Sequence, residues 1–222
     1  MCQGKTKGRQ NEISERISQD DNRTQTPQNG RMEEATIRLR EGGRTSQTTD
    51  GRIQLSASEQ EIESSKAERY AQENDIWISL SDVFKLGAQG PSGNENDTYF
   101  SPEGYVYKVN NLMNSGNIVS LFERLSIHNQ TFPETAYELY GFTGFEGRSV
   151  FPVIRQRAVC NPDNATTEDI EEYMKLLGFQ KVKEYSYCNG EILISDLRPR
   201  NVLKDIDGDI YIVDAEFKAI NY

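Results

Sequence analysis

Apolar residues are spread unevenly along the chain. Over residues 1–57 Trp, Tyr and Phe are absent, and Gln, Asn, Ser, Thr, Gly, Arg and Glu dominate. Such a stretch cannot bury enough apolar surface to offset the entropy of ordering it, so a disordered polar segment or linker is expected there. Within it residues 33–40 have some helical character, but with only Ile37 and Leu39 counted as apolar nothing anchors a helix. From 58 onward the pattern becomes periodic. Residues 58–74 read as a helix, with Ser58 and Glu61 spaced as a capping box. A short apolar stretch, 76–80, holds Trp77 and leads into a glycine-rich loop at 87–96. Residues 98–100 and the alternating 105–109 read as strands joined by a turn at 101–104. The strongest helical pattern is 118–129, where Ile118, Leu121, Phe122 and Leu125 share a face. Strands are expected at 134–141 and 150–157, separated by a Gly144/Gly147 turn. Thr166 or Thr167 caps a helix through Leu177 that Gly178 ends. A strand at 191–195, a loop at 196–201 and a hairpin turning at Asp207-Gly208 complete the pattern. Strands, helix, strands, helix, strands predict an α+β domain over 58–222.

Composition removes several function classes. The 222 residues carry 25 Lys+Arg against 35 Asp+Glu, a formal charge of -10. A nucleic-acid backbone would be repelled over most of such a surface, although a local basic pocket can still hold a nucleotide. Cys2, Cys160 and Cys188 are far apart and odd in number, so reduced thiols are expected rather than a disulfide framework or zinc site. Neither a membrane-spanning apolar run nor a signal-peptide core is present, which makes the cytoplasm the default compartment and gives no membrane partner.

The chemistry concentrates near the end of the sequence. Asp196 precedes a proline-stiffened loop, Asn201 lies five residues on, and Asp214 follows an apolar strand thirteen residues later. A hairpin between 202 and 213 would return Asp214 to Asn201. Phosphoryl transfer needs a magnesium ion held by oxygen ligands and a carboxylate that orients the acceptor hydroxyl. An amide oxygen and a carboxylate converging on a metal, with Asp196 facing the acceptor, would supply both. Other motifs lead nowhere. The 205–216 stretch has Glu216 at the twelfth position of a calcium loop, but Ile210 stands where that loop needs glycine. His128, the single histidine, has no partner pattern for a triad, and Tyr185 and Tyr187 read as packing residues.

The stretch Ile194-Ser-Asp-Leu-Arg-Pro-Arg-Asn-Val-Leu203 followed by Ile210-Tyr-Ile-Val-Asp-Ala-Glu216 resembles the protein kinase-like superfamily. It looks most like the predicted serine/threonine/tyrosine kinase domain in polyvalent proteins of bacterial mobile elements. The resemblance implies a minimal kinase-like fold, with an antiparallel-sheet N-lobe at about 76–157, one main helix, and a reduced C-lobe at about 158–222. It implies Asp196 as catalytic base, Asn201 and Asp214 as magnesium ligands, and Arg198 where kinases commonly place a lysine near the γ-phosphate. By order along the chain, Gly90 and Gly93 would lie in the loop over the ATP phosphates, contacting them through backbone N–H groups. Lys108 would be the phosphate-contacting lysine and Glu123 its ion-pair partner, while Gln156 and Ala158 would sit in the adenine-binding hinge. ATP and Mg2+ are the implied cofactors, and the acceptor is a hydroxyl, on protein Ser/Thr/Tyr or elsewhere.

Three departures shape the expectation. Ile194 and Ser195 replace His-Arg before the catalytic aspartate, which removes the partner of a phosphorylated activation loop. Ala215 and Glu216 replace Phe-Gly, as in small-molecule kinases of the superfamily. The sequence stops eight residues past Asp214, leaving no room for a peptide-binding platform. Alternatives to a phosphotransferase are therefore a nucleotide-binding pseudokinase or interaction module, with a small-molecule kinase as a third reading.

Overall fold

The computed structural model describes residues 30–41 and 57–220. These fall into two compact units that divide after Ala158, and the mixture of helices and antiparallel sheets is α+β. The Ser58 side chain, and with it the expected capping box, lies outside the described residues.

The first unit is built on a five-stranded antiparallel sheet of order β1-β2-β3-β5-β4, comprising β1 (Ala88–Gln89), β2 (Asn96–Phe100), β3 (Tyr105–Asn110), β4 (Glu138–Phe145) and β5 (Ser149–Arg157). Three helices contribute to one core with this sheet: α1 (Gly30–Arg40), α2 (Ala57–Glu73) and α4 (Ile118–Thr131). A short α3 (Leu80–Val83), capped by the Ser79 hydroxyl, contributes Val83 to a second core with Tyr99, Tyr107 and Val153. The expected strand at 134–141 begins instead at Glu138, because Pro133 starts a 3-10 turn.

Helix α1 corrects the expectation of a wholly disordered 1–57. Its anchors are Met32, Ala35 and Leu39, which repeat on one face and are buried, whereas Ile37 is exposed. Counting only large aliphatic residues hides that stripe. The helix is fastened by Lys66 of α2, whose ammonium donates to the Leu39 and Glu41 carbonyls at 3.0 and 2.6 Å.

Helix α2 also anchors α4. Buried Glu63 accepts from the N–H groups of Ile118 and Val119 at 3.0 and 3.2 Å, and Asn117 accepts from Ser120 N–H at 2.8 Å. The first three amides of α4 are thus satisfied, two of them by a carboxylate at the positive end of the helix. Burial raises the Glu63 pKa, against the opposing pull of those two backbone bonds. Gly141 admits the 76–78 segment against β4, since a Cβ there would stand 2.3 Å from the Ile76 carbonyl oxygen.

The second unit holds a three-stranded sheet, β11-β10-β6, and a four-stranded sheet, β12-β9-β8-β7. Its strands are β6 (Asp163–Asn164), β7 (Gln180–Lys183), β8 (Ser186–Cys188), β9 (Ile192–Ser195), β10 (Val202–Lys204), β11 (Ile210–Ile212) and β12 (Glu216–Ala219). Helix α5 (Thr167–Leu176) starts with a capping box of Thr166 and Asp169. Gly178, at φ 83°, follows its end. Lys204 hydrogen-bonds Asp169 at 2.7 Å and holds that carboxyl low, at about 2. Among the described residues Cys188 is a free thiol. Among the described residues no helix is long and apolar enough to cross a membrane.

His128 gives the first unit a pH signature. Its Nε2 lies 3.0 Å from the Thr135 carbonyl oxygen, which can only accept, so Nε2 carries the proton of a neutral ring. Burial lowers its pKa from 6.5 to about 3. The unfolded chain therefore binds more protons between those values, and the stability tied to neutral His128 is full above about 6.5 and is lost as pH falls toward 3. Denaturant unfolding at pH 7.5 and 5 should show this loss in the wild type and a shallower one in His128→Gln.

Candidate active site

Two sheet registers bring the three sequence-predicted residues of the second unit together. Asp196 directly follows β9 and Asp214 lies two residues before β12, and these strands pair with Glu216 opposite Ser195. Asn201 directly precedes β10, which pairs with β11 so that Val202 faces Ile212. The two pairings share the 213–215 connection, so Asp214 must return beside both the end of β9 and the start of β10. The Asn201 carbonyl accepts from the N–H groups of Val213 and Asp214 at 3.0 and 3.3 Å. Ile194, Leu197 and Val202 are fully buried and Ile212 nearly so, which anchors the backbone on each side of the loop.

Asp196 occupies the left-handed region at φ 58°, a conformation that aspartate tolerates better than most residues. Leu197 N–H donates to the Tyr185 carbonyl at 3.1 Å, and Arg198 N–H turns back to the Asp196 carbonyl at 2.8 Å. Asn201 Nδ2 donates to both the Asp196 carbonyl and its Oδ2, each at 2.8 Å. Both partners are acceptors, so the amide orientation follows from the network: Nδ2 faces Asp196 and Oδ1 faces away. The other carboxylate oxygen, Oδ1, accepts from Arg198 Nε at 2.7 Å, with Arg200 3.6 Å from Oδ2. Arg198 also lies over the Tyr185 ring at 5.2 Å. The Asp196 side chain remains 37% exposed and Asp214 is exposed, while Asn201 is buried.

This donor set suits a hard cation. Asn201 presents an amide oxygen turned away from Asp196, and Asp214, tied to Asn201 through the backbone, adds a carboxylate; magnesium prefers such oxygen ligands. The calcium-loop alternative fails on geometry as well as sequence. Asp205 Oδ1 accepts the N–H groups of Asp207 and Asp209 at 3.0 and 2.9 Å, organising a hairpin turn.

In the first unit the sequence-predicted residues fare unevenly. Lys108 lies on β3, is buried, and donates to the Tyr137 hydroxyl at 2.8 Å. Glu123 is on α4 but exposed, and its carboxylate pairs with Arg40 of α1. Glu123 is therefore not brought to Lys108 as expected, because the buried face of α4 runs through Leu121, Leu125 and His128 and turns Glu123 outward. Gly90 and Gly93 do lie in and beside the loop joining β1 and β2. Their N–H groups, however, donate to the Thr98 and Asn96 carbonyls at 2.8 and 2.9 Å. Hairpin closure thus takes the two amides expected to meet phosphate. Likewise Ala158 N–H donates to the Gly104 carbonyl at 3.0 Å, so it does not stand open to adenine. Gln156 is buried within the β3–β5 ladder opposite Val106, and its Oε1 has no hydrogen-bond partner.

A family model described as Serine/Threonine/Tyrosine Kinase found in polyvalent proteins matches residues 60–221. The chain belongs to this family. No curated protein and no solved structure matches it. Family membership suggests a phosphotransferase that uses a nucleotide, and it covers both units, including the strand that bears Lys108 and the Asp196–Asp214 region. Sequence reasoning missed Tyr137 and Tyr185, since a phenol that holds a lysine and a ring beneath an arginine have no local spacing to mark them.

Asn201→Ala removes both bonds to Asp196 and should cost about 2 kcal/mol of unfolding free energy, since it leaves part of a buried polar network unpaired. Urea unfolding, read against an exposed control substitution, checks this.

Proposed function

We propose that this family member is a Mg-ATP-dependent phosphotransferase that moves the γ-phosphoryl group to a hydroxyl acceptor. The observation that carries the reading is the closed arrangement of Asp196, Arg198, Asn201 and Asp214 on two sheet registers. Asp196 accepts the proton of the attacking hydroxyl, and Asn201 holds its carboxylate in place. Arg198, bonded to the same carboxylate, neutralises charge on the transferring group. Asn201 Oδ1 and the Asp214 carboxylate are the proposed metal ligands. When bound, magnesium would screen the charge of the phosphates. In the first unit, taken by itself, Lys108 on β3 is the proposed phosphate-contacting residue. The sheet order β1-β2-β3-β5-β4, with α4 between β3 and β4, supports a kinase-like sheet-and-helix unit around that lysine.

A nucleotide-binding module without catalysis is the second reading, favoured by two observations: Glu123 pairs with Arg40, and hydrogen bonds already occupy the Gly90, Gly93 and Ala158 amides. The acceptor on the first reading is a protein hydroxyl or a small molecule.

Calorimetry with ATP should show binding that requires Mg2+ and weakens at least tenfold in Asp214→Ala. Transfer of label from γ-labelled ATP, to the chain itself or to an added acceptor, should fall about 10²- to 10⁴-fold in Asp196→Ala while nucleotide binding persists. No ATP binding at millimolar nucleotide and magnesium would sink both readings; binding without transfer would favour the module.

A further inference from the structure

Two arginines flank the proposed base, and their geometry differs. Arg198 Nε donates to Asp196 Oδ1 at 2.7 Å, and its guanidinium lies 5.2 Å from the centre of the Tyr185 ring. Arg200, two residues on in the 3-10 turn Pro199–Asn201, approaches the other carboxylate oxygen, Oδ2, to 3.6 Å. That is a charge contact beyond hydrogen-bond length, and 68% of the Arg200 side chain faces solvent.

Holding Asp196 in place does not account for Arg200. The carboxylate is already fixed by Arg198 on Oδ1 and by Asn201 Nδ2, at 2.8 Å, on Oδ2. An exposed ion pair at a longer distance adds little to stability. The backbone that carries Arg200 is nevertheless well placed. Asn201 N–H donates to the Arg198 carbonyl at 2.8 Å, Pro199 stiffens the turn, and Asn201 beside it is buried. The turn therefore brings a solvent-facing guanidinium to the rim of the carboxylate that, on the reading above, receives the acceptor's proton.

Resting on the phosphotransferase reading, we propose that Arg200 selects the acceptor, and that the acceptor carries an anionic group, a carboxylate or a phosphate, next to the hydroxyl that is phosphorylated. The hydroxyl must come within about 3 Å of the Asp196 carboxylate to pass its proton. Arg200 stands 3.6 Å from an oxygen of that carboxylate, so an anion held by its fork lies about one residue's length from the reacting oxygen. A guanidinium matches two carboxylate or phosphate oxygens at once, which an ammonium does not. The preference acts by contact, because the chain's net charge of -10 repels anions at longer range. Arg198, bonded to Asp196 and set over Tyr185, stays with the transferring group.

The test compares the full wild-type chain with Arg200→Ala and Arg200→Glu, and with Lys175→Ala, which removes the same charge from an exposed position on α5 of the same unit. Arg200 is exposed, so its variants should melt like the wild type. The acceptors are short serine peptides with glutamate, alanine or lysine on either side of the serine, and glycerol 3-phosphate beside glycerol. Wild type should transfer label to the glutamate peptide, or to glycerol 3-phosphate, with a KM about fivefold below that of the neutral counterpart. Arg200→Ala should abolish this difference, Arg200→Glu should favour the lysine peptide, and Lys175→Ala should keep the wild-type order. The dissociation constant of Mg-ATP should be the same in all four proteins. An Arg200-dependent preference among the peptides alone assigns the anion to a protein acceptor, and one between the glycerols alone assigns it to a small molecule; either upholds the proposal. The same anionic probes are also titrated without nucleotide, by fluorescence anisotropy or calorimetry. Transfer with no anionic preference, a preference retained in Arg200→Glu, or Mg-ATP binding lost in Arg200→Ala would overturn the proposal and leave the phosphotransferase reading standing. Arg200-dependent binding of an anionic probe, with neither transfer nor Mg-ATP binding, would uphold the anion site and remove that reading. Absence of transfer, Mg-ATP binding and anion binding together would overturn both.

Discussion

Asn201 engages all of its polar groups but one, and the candidate active site is organised by how they are distributed. The side-chain amide donates twice to Asp196, once to its backbone and once to its carboxylate. The backbone carbonyl accepts the two amides that bring the chain back at Val213 and Asp214. One buried residue therefore joins the proposed base to the proposed metal ligand, and the remaining amide oxygen is turned away from Asp196. The left-handed backbone of Asp196 persists because these bonds and the buried flanks at Ile194 and Leu197 over-determine it. Such strain is tolerated where a fixed side-chain direction is worth more than backbone comfort, as electrostatic catalysis by preorganised groups requires.

In the first unit the equivalent role falls to helix contacts. Glu63 of α2 terminates α4 at one end, and Asn129 extends its other end to Tyr137 and from there to Lys108. Lys66, on the same helix α2, caps the carbonyl end of α1. A single 17-residue helix thus fastens two other helices of the core. Each fastening is a charge-assisted bond at a helix terminus, where unsatisfied backbone groups and the helix dipole favour it.

What the sequence made legible follows from how local each signal is. The strand at 105–109, the amphipathic helix after 118, the Thr166 cap, and the Asp-Gly hairpin are written in short spacings, and all are present. That Asp196, Asn201 and Asp214 lie near one another was legible because their separations match a hairpin whose register could be foreseen. Helix α1 was not, because its anchors include an alanine and a methionine in an otherwise polar stretch, and their value depends on the partners they meet. The Lys108–Glu123 pairing failed for a similar reason. Chain order gives the helix and the strand, but the face of the helix decides which side chain arrives, and that face is set by Leu121, Leu125 and His128. That the Gly90, Gly93 and Ala158 N–H groups bond main-chain carbonyls of the same unit is a competition no residue identity reveals.

The claim on which everything else stands is that Asn201 and Asp214 hold a divalent cation with a nucleotide. Manganese can replace magnesium at oxygen-ligand sites and broadens nearby nuclear resonances. With isotope-labelled protein and ATP, substoichiometric Mn2+ should selectively broaden the Asn201 side-chain amide and the backbone amides of Val213 and Asp214, and excess Mg2+ should restore them. Broadening absent from these signals, or centred on the 205–209 turn instead, would contradict the account.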